Sequence, residues 1–356
     1  MKTNDFIKVY LEGYSKYKEK WNYEDGCVYK GALDLYKATN DKEYLNFVKA
    51  FIDESISESG EILRYEIEEF NIDNINTGKV LFDLYEMTRE SKYKKAAMQL
   101  REQLQKHPKT EEGSFWHKKI YPNQVWLDGL YMAMPFYAEY EKLFNKSQGF
   151  EDIHKQFMVV RDRVKDLESG LYYHGYDESK KERWSHPETG LSQNFWSRAM
   201  GWFVMAMVDT LEVIGEGTPY FLGIQEMLKE SIDALLKYQD KQTFMWYQVI
   251  DQIHGEGNYL ETSGTLMIAY GILKGVRLGF LPEEYQSFGK KAFTGVIEKY
   301  LDTNTNHLGG ICGVAGLGNT PYRDGSYEYY MSEKIIENDP KGVGAFLMTY
   351  SEMLRS

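Results

Sequence analysis

Apolar residues recur at helical spacing along most of the chain, in paired segments that short polar breaks separate. One pair covers residues 32–36 and 47–52, and the unit returns at residues 80–85 and 93–104 with Leu-Tyr at the same place in both first segments. Apolar spacing of this kind predicts amphipathic helices. A recurring helix–turn–helix unit predicts a repeat architecture.

Six such helical hairpins follow one another, and strand-like alternation is scarce. The first helix of each hairpin is predicted to begin at a small residue: Gly31, Gly78, Gly129, Gly201, Gly264 and Gly344. The predicted fold is all-α, an (α/α)6 six-hairpin toroid in which residues 1–356 form a single domain. An open helical solenoid is the alternative, but it would leave the apolar first helices in water, which favours closure.

In a closed ring the loops ahead of the first helices meet at one end, and loops at one end of a barrel are where sites are built. These loops carry Trp21, Tyr23, Asp73, Asn74, Asn76, Trp126, Asp128, Trp196, Arg198, Trp202, Glu261 and Thr262. His117 and His174 are expected to join them from long loops within the hairpins.

The apolar, aromatic stretch at residues 125–136 contains a single carboxylate, Asp128. A carboxylate in such surroundings must accept hydrogen bonds, pair with a cation or hold its proton. A held proton is what a general acid needs. The competing interpretation is that Asp128 caps the helix, a position that Asp favours, and the stretch alone leaves both open.

A second carboxylate, Asp73, lies just ahead of the first helix of the second hairpin. Asp73 and Asp128 are therefore expected at matching ends of neighbouring repeats, and two carboxylates facing one cavity indicate acid–base chemistry on a sugar. Helix capping by Asp73 and Asn74 is the alternative. The shared register of the two carboxylates favours a function.

Two histidines have neighbours that suggest a role. His117 lies in an aromatic and basic loop, close in sequence to Asp128, and His174 lies among tyrosines in a predicted turn. A surface or structural role is the alternative for each. No paired-His or His-x-Glu spacing predicts a zinc site.

Residues 194–202 combine Arg198 with Trp196 and Trp202 at a predicted helix start. The planar guanidinium suits a carboxylate, and the two indoles offer flat faces for a sugar ring. Alternatively, Arg198 forms a buried structural pair with an Asp of a neighbouring repeat. With Lys118 and Lys119, it would supply a local positive potential.

Composition narrows the classes of partner. The net charge of −12 argues against nucleic acid and anionic membranes. Cys27 and Cys312 lack metal-ligand or disulfide spacing and are expected to be buried thiols. Without a signal peptide, a transmembrane run or a dinucleotide or phosphate-loop motif, the chain is expected to be cytoplasmic, cofactor-free, and a monomer or weak homodimer.

Taken together, these residues resemble the unsaturated rhamnogalacturonyl hydrolases of glycoside hydrolase family 105, kin to the unsaturated glucuronyl hydrolases of family 88. The resemblance covers nearly the whole chain. It rests on Asp73-Asn74-Ile75-Asn76, Phe115-Trp116-His117-Lys118-Lys119, residues 125–132, residues 195–202, Glu261-Thr262-Ser263-Gly264-Thr265, residues 269–277 and residues 315–326. One departure is Ala199-Met200, where the family often has Gly-Asn.

The resemblance implies a six-hairpin toroid that hydrates the C4=C5 vinyl ether of an unsaturated galacturonate without a metal. In that mechanism Asp128 protonates C4 and then activates the water that attacks C5, while Asp73 orients the sugar or tunes Asp128. The implied substrate contacts are His117, His174, Arg198, Trp196, Trp202, Trp126, Asn74 and Tyr23.

Three other functions remain in competition at this stage. An unsaturated glucuronyl hydrolase would act on glycosaminoglycan disaccharides, although sulfated substrates call for more basic loops than this acidic chain has. A conventional inverting or retaining glycosidase is compatible with two carboxylates. A non-catalytic sugar-binding toroid is disfavoured because Asp128 is present.

Overall fold

Over residues 2–356, which the computed structural model describes, the chain is predominantly helical. The helices are α1 (Lys2–Glu12), α2 (Tyr23–Thr39), α3 (Lys42–Asp53), α4 (Lys79–Thr88), α5 (Ser91–Lys106), α6 (Leu127–Phe144), α7 (Phe150–Val164), α8 (Ser197–Ile214), α9 (Phe221–Leu236), α10 (Thr262–Arg277), α11 (Gln286–Tyr300), α12 (Tyr327–Ser332) and α13 (Pro340–Arg355). Within this part of the chain, no helix is both long and apolar enough to cross a membrane.

Short strands and 3₁₀ segments occupy the connections. The strands are β1 (Gln124–Trp126), β2 (Gly175–Asp177), β3 (Leu301–Asp302), β4 (His307–Leu308), β5 (Ile311–Cys312) and β6 (Ile335–Ile336), and they pair antiparallel as β1–β2, β3–β4 and β5–β6. The 3₁₀ segments are Ile67–Glu69, Ile72–Gly78 and Glu283–Tyr285.

Six helices form a closed inner ring in the order α2, α4, α6, α8, α10 and α13. Each packs on the next, and α13 packs against α2. Helices α3, α5, α7, α9 and α11 cover the ring from outside, and α1 covers α13 through Phe6, whose ring centroid lies 5.4 Å from that of Phe346. The predicted six-hairpin toroid is confirmed, and the open solenoid is wrong because the last inner helix meets the first.

Burial explains which helices lie inside. Nearly every residue of α8 and α10 is buried, as expected of helices that are apolar all round. The outer helix α5 has charged residues on one side and buries the other, with Tyr93, Ala97 and Leu100 facing the core.

Five of the six glycines predicted to begin the inner helices lie inside them, whereas Gly78 directly precedes α4 as its N-cap. Helix α2 starts eight residues before Gly31, and α13 starts four residues before Gly344. These glycines mark close crossings instead: a Cβ on Gly31 would lie 2.6 Å from Leu347 Cβ, and one on Gly344 would lie 2.6 Å from the Cys27 carbonyl carbon. The prediction mistook small residues needed for helix packing for helix ends.

The ring has two different ends. The C-terminal halves of the inner helices surround a polar cavity of about 280 Å³. Its charges are largely paired with one another: the Lys274 ammonium lies 2.6 Å from Asp209 and 2.7 Å from Glu212. The predicted site residues lie at the opposite, N-terminal end.

Candidate active site

One helical position recurs around the N-terminal end of the ring and carries a polar side chain in every repeat. It is the second residue of each inner helix, or of the 3₁₀ segment that precedes α4: Glu24, Asp73, Asp128, Arg198, Ser263 and Lys341. Because Cα–Cβ bonds tilt toward the helix N-terminus, these side chains all project to the same mouth. The repeat therefore places acids, cations and a hydroxyl around one opening.

A short sheet brings Asp128 and His174 together. Strands β1 and β2 pair antiparallel with Trp126 opposite Gly175, and the Leu127 N–H donates to the His174 carbonyl at 3.0 Å. His174 precedes β2 and Asp128 follows β1, so the pairing places their side chains side by side. His174 Nε2 lies 3.3 Å from Asp128 Oδ2.

Asp128 does not cap its helix. Trp126 occupies the N-cap position of α6 without a capping side-chain bond. The Asp128 side chain is 13% exposed, and its Oδ2 is buried without a hydrogen-bond partner among residues 2–356. The capping interpretation is therefore wrong, and the buried Oδ2 faces the His174 imidazole.

Asp73 has the opposite surroundings. Its carboxylate lies 2.7 Å from the Lys118 ammonium and 3.6 Å from His117 Nε2. Burial would raise the pKa of Asp73, but Lys118 and His117 together hold that pKa below its usual value. The cap of this segment is Asn71, which accepts from the Asp73 N–H at 3.1 Å, so the alternative that Asp73 caps the helix is also wrong.

His117 is held between the two carboxylates. Its backbone N–H donates to the Gln124 carbonyl at 2.7 Å, and its ring stacks on Trp126 with centroids 4.1 Å apart. Burial lowers the pKa of His117 to about 4, although Asp73 opposes the shift. The imidazole is therefore neutral at pH 7 and its buried Nδ1 has no protein partner in the described chain.

Arg198 is a buried cation without a carboxylate partner. Its Nη1 donates to the Cys312 carbonyl at 2.5 Å and to Ser263 Oγ at 3.2 Å, and its guanidinium lies over the Trp196 ring at 4.6 Å. Within residues 2–356 it forms no ion pair with Asp or Glu, so the predicted Arg–Asp structural pair is wrong. The remaining N–H donors are free for an anionic ligand.

The aromatic candidates divide into two groups. Trp126 and Trp196 flank His174, with ring centroids 5.4 Å and 4.7 Å from the imidazole. Trp202 instead stacks on Tyr131 at 4.9 Å within the ring interior. Both Trp196 and Trp202 are 1% exposed, so neither offers a free face to solvent.

The two remaining candidates lie on the Asp73 side of the mouth. Tyr23 is half-buried at the start of α2, and burial, followed by the charges of Glu24 and Asp73, raises its pKa well above the usual value. Its hydroxyl therefore keeps its proton and can donate. Asn74 is buried, and its amide lies 3.5 Å from Glu69, away from the Asp128 pair.

The loops that carry His117 and His174 lie between hairpins, not within them as predicted. His117 lies between α5 and α6, and His174 between α7 and α8. Both loops connect successive hairpins.

At the unusual Ala199-Met200 pair, the Met200 sulfur accepts from the Tyr172 N–H at 3.3 Å, so Met200 supports the segment that carries His174.

Sequence reasoning missed several residues at the mouth. Tyr330 of α12 places its hydroxyl 2.8 Å from His174 Nδ1, although the two residues are 156 positions apart. Glu24 is buried against Lys18 and has one unpartnered oxygen in the described chain. Glu24 and Lys341 are each the second residue of an inner helix, as Asp128 is. This shared position would have identified both residues if the helix starts had been predicted correctly.

Comparison with known proteins identifies relatives along the whole chain. The sequence model of Glycosyl Hydrolase Family 88 matches residues 2–356. A solved glycoside hydrolase of family 105 from C. acetobutylicum ATCC 824 superposes with a TM-score of 0.95 at 46% identity, covering 98% of both chains.

Two further relatives are more distant. The unsaturated rhamnogalacturonyl hydrolase YesR of Bacillus subtilis (strain 168) is 26% identical over 284 residues, which is 78% of this chain and 76% of that protein. The unsaturated glucuronyl hydrolase of Bacillus sp. GL1 has a TM-score of 0.69 at 15% identity, covering 97% of this chain and 94% of its own, a likeness of fold alone.

Proposed function

Because the chain belongs to glycosyl hydrolase family 88, we propose that it removes a 4-deoxy-4,5-unsaturated galacturonate from the non-reducing end of unsaturated rhamnogalacturonan disaccharides and oligosaccharides. It is a glycoside hydrolase that acts on unsaturated uronic-acid sugars. The choice of rhamnogalacturonan is supported by the sequence similarity to YesR.

The observation that carries the proposed chemistry is the isolation of Asp128. Its carboxyl group lies beside His174, without a capping bond or a Lys or Arg partner in the described chain. A carboxyl group with no compensating cation is suited to act as a general acid. Asp73, which Lys118 keeps ionised, is suited to accept hydrogen bonds from sugar hydroxyls.

In the proposed reaction Asp128 transfers its proton to C4 of the vinyl ether, and positive charge develops at C5 and the ring oxygen. The Asp128 carboxylate then takes a proton from water as that water bonds to C5. The resulting hemiketal opens to a C5 ketone, which leaves a hemiacetal at C1. Its collapse releases the partner sugar and an aldehyde, so one water is consumed for one glycosidic bond broken.

Arg198 supplies the proposed binding site for the uronate. A buried guanidinium without a carboxylate partner is costly in the empty enzyme. A substrate carboxylate would compensate it with charge-assisted hydrogen bonds. Tyr23 and His117 remain proposed contacts to the hydroxyl groups of the sugar.

Isotopic labelling tests this chemistry directly. The unsaturated galacturonyl-rhamnose disaccharide is hydrolysed in heavy water and, separately, in ¹⁸O-water under single turnover, and the products are read by NMR and mass spectrometry. Hydration predicts one deuterium at C4 and ¹⁸O at C5. Label at C1 with no deuterium at C4 would identify a conventional glycosidase instead. Turnover of only the unsaturated glucuronyl disaccharide would contradict the rhamnogalacturonan assignment.

A further inference from the structure

The buried hydroxyl of Tyr330 meets the side of His174 that faces away from Asp128. Tyr330 Oη lies 2.8 Å from His174 Nδ1, and both residues are fully buried. We propose that Tyr330 is a positioning residue that keeps the His174 proton on Nε2, so that the imidazole donates to Asp128. The effect of Tyr330 on catalysis rests on the proposed function of Asp128. The position of the proton on His174 does not depend on that proposed function.

The direction of the hydrogen bond follows from what the phenol can do. Burial, together with the nearby Tyr329 and Asp128, raises the pKa of Tyr330 well above its usual value, so the hydroxyl keeps its proton. His174 Nδ1 is the single hydrogen-bond partner of that hydroxyl in residues 2–356. A buried O–H without an acceptor is costly, so the phenol donates to Nδ1, and a ring hydrogen of His174 resides on Nε2.

The consequence appears at Asp128. With hydrogen on Nε2, the imidazole carries a donor 3.3 Å from Asp128 Oδ2, although the two groups are not aligned as a hydrogen bond in this structure. Catalytic hydrogen bonds are often long or poorly aligned in unliganded enzymes and tighten in the reacting complex. With hydrogen on Nδ1 instead, a nitrogen lone pair would face the carboxylate oxygen, which is repulsive.

This arrangement assigns different tasks to the two carboxyl oxygens. Oδ2 is buried and faces His174, so the 13% exposure of the side chain leaves Oδ1 toward the mouth. Oδ1 is then the oxygen that carries the reacting proton. After that proton leaves for C4, the Nε2–H stabilises the carboxylate that must take a proton from water.

Neighbouring residues hold His174 and Tyr330 in place. Trp196 packs against both partners, with its ring 4.7 Å from His174 and 6.1 Å from Tyr330. Tyr330 lies on α12, which is capped by a Ser326 Oγ bond from the Tyr329 N–H at 3.1 Å. One indole and a capped helix therefore fix the phenol relative to the imidazole.

The first test reads the proton position without using activity. Protein labelled with ¹⁵N-histidine is studied by NMR, and the His174 signals are assigned by their loss in His174→Gln. We expect a protonated Nε2 and an unprotonated Nδ1 in the wild type, and a mixture of tautomers in Tyr330→Phe. A wild-type ring protonated on Nδ1, or an unchanged tautomer in the variant, would overturn the proposal.

The second test measures the effect on turnover of the unsaturated galacturonyl-rhamnose disaccharide. Tyr330→Phe is expected to lower kcat by about tenfold to a hundredfold with KM nearly unchanged, the size expected for one lost bond that supports a charged group. The matched control is Tyr329→Phe, because that hydroxyl bonds Glu333 and the Gly316 N–H instead.

The combined results separate the two proposals. Equal kcat in Tyr330→Phe and the wild type would contradict the positioning role. A wild type inactive on unsaturated uronates, but with the expected tautomer, would contradict the proposed function and leave the assignment of the His174 proton intact.

Discussion

At the residue scale, Asp73 and Asp128 have different surroundings although both lie at the same mouth. Lys118 lies 2.7 Å from Asp73, whereas the group facing Asp128 is a histidine. An acid and a hydrogen-bond acceptor can be separated by such differences in environment. The proposed hydration needs one proton-donating carboxyl group, whereas a conventional glycosidase uses a pair of carboxyl groups that flank the scissile bond.

Arg198 gives a prediction about substrate charge. Arg198→Gln is expected to raise KM for the acidic disaccharide by about tenfold to a hundredfold, because it removes a charge-assisted bond. The same disaccharide as its methyl ester lacks the charge and is expected to bind wild type and variant almost equally. A similar loss on both substrates would contradict the assignment of Arg198 to the carboxylate. Thermal unfolding of the variant checks that the fold is retained.

The buried histidines predict how stability depends on pH. Burial lowers the pKa of both His107 and His117 to about 4. Between that value and the unfolded pKa of about 6.5, the unfolded chain binds more protons than the native protein, so stability falls as pH decreases through this window. From pH 7 to pH 5 each histidine is expected to remove on the order of 2 kcal/mol from the free energy of unfolding.

Urea unfolding of His107→Gln at the two pH values measures this effect away from the site. The variant is expected to lose less stability between pH 7 and pH 5 than the wild type, whatever its absolute stability. The exposed His254 provides the control, and His254→Gln is expected to keep the wild-type difference. Equal differences for His107→Gln and the wild type would contradict the role of burial.

At the element scale, the short β1–β2 sheet does more for the site than its length suggests, since its pairing places Asp128 beside His174. A Cβ on Gly175 would lie 2.8 Å from both Trp126 Cδ1 and the Val125 carbonyl oxygen. Gly175→Ala must therefore separate the strands and move His174. We expect kcat to fall tenfold or more with the helical circular dichroism unchanged.

The control for this variant is Gly217→Ala. No atom lies within 4 Å of a Cβ built at Gly217, and its backbone is not left-handed. Its activity is expected to match the wild type. Full activity in Gly175→Ala would show that the strand pairing does not set the catalytic geometry.

The elements also show what the sequence reveals and what it hides. Helical periodicity identifies the paired helices because each buries one continuous apolar face. It also identifies Asp73 and Asp128, since each is a carboxylate beside an apolar helix start. Periodicity does not identify Tyr330, because its contact with His174 spans 156 positions and depends on how α12 folds back over the mouth.

At the scale of the whole molecule, the ring depends on contacts between the two ends of the chain. A Cβ on Gly344 of α13 would lie 2.6 Å from the Cys27 carbonyl carbon of α2. Gly344→Ala gains helix propensity of about 1 kcal/mol, but its nearest neighbours are backbone atoms that cannot rotate away. We expect a net loss of about 1–3 kcal/mol in the free energy of unfolding.

Denaturant unfolding of Gly344→Ala measures this cost, again beside Gly217→Ala. A variant as stable as the wild type would show that α2 and α13 can separate without penalty. The toroid could be inferred from the repeat count, but the crossing points could not, because glycines that allow close packing look the same in sequence as glycines that end helices.

Asp128 is the proposed acid in the hydration of the unsaturated uronate. The most direct measurement is the loss of ultraviolet absorbance of the conjugated double bond in the unsaturated galacturonyl-rhamnose disaccharide, for wild type and Asp128→Asn. Asp41→Asn, at an exposed helix cap, is the control. We predict rapid loss with wild type and control, and a rate at least about 10³-fold lower for a folded Asp128→Asn. Wild-type rates in Asp128→Asn would contradict the account.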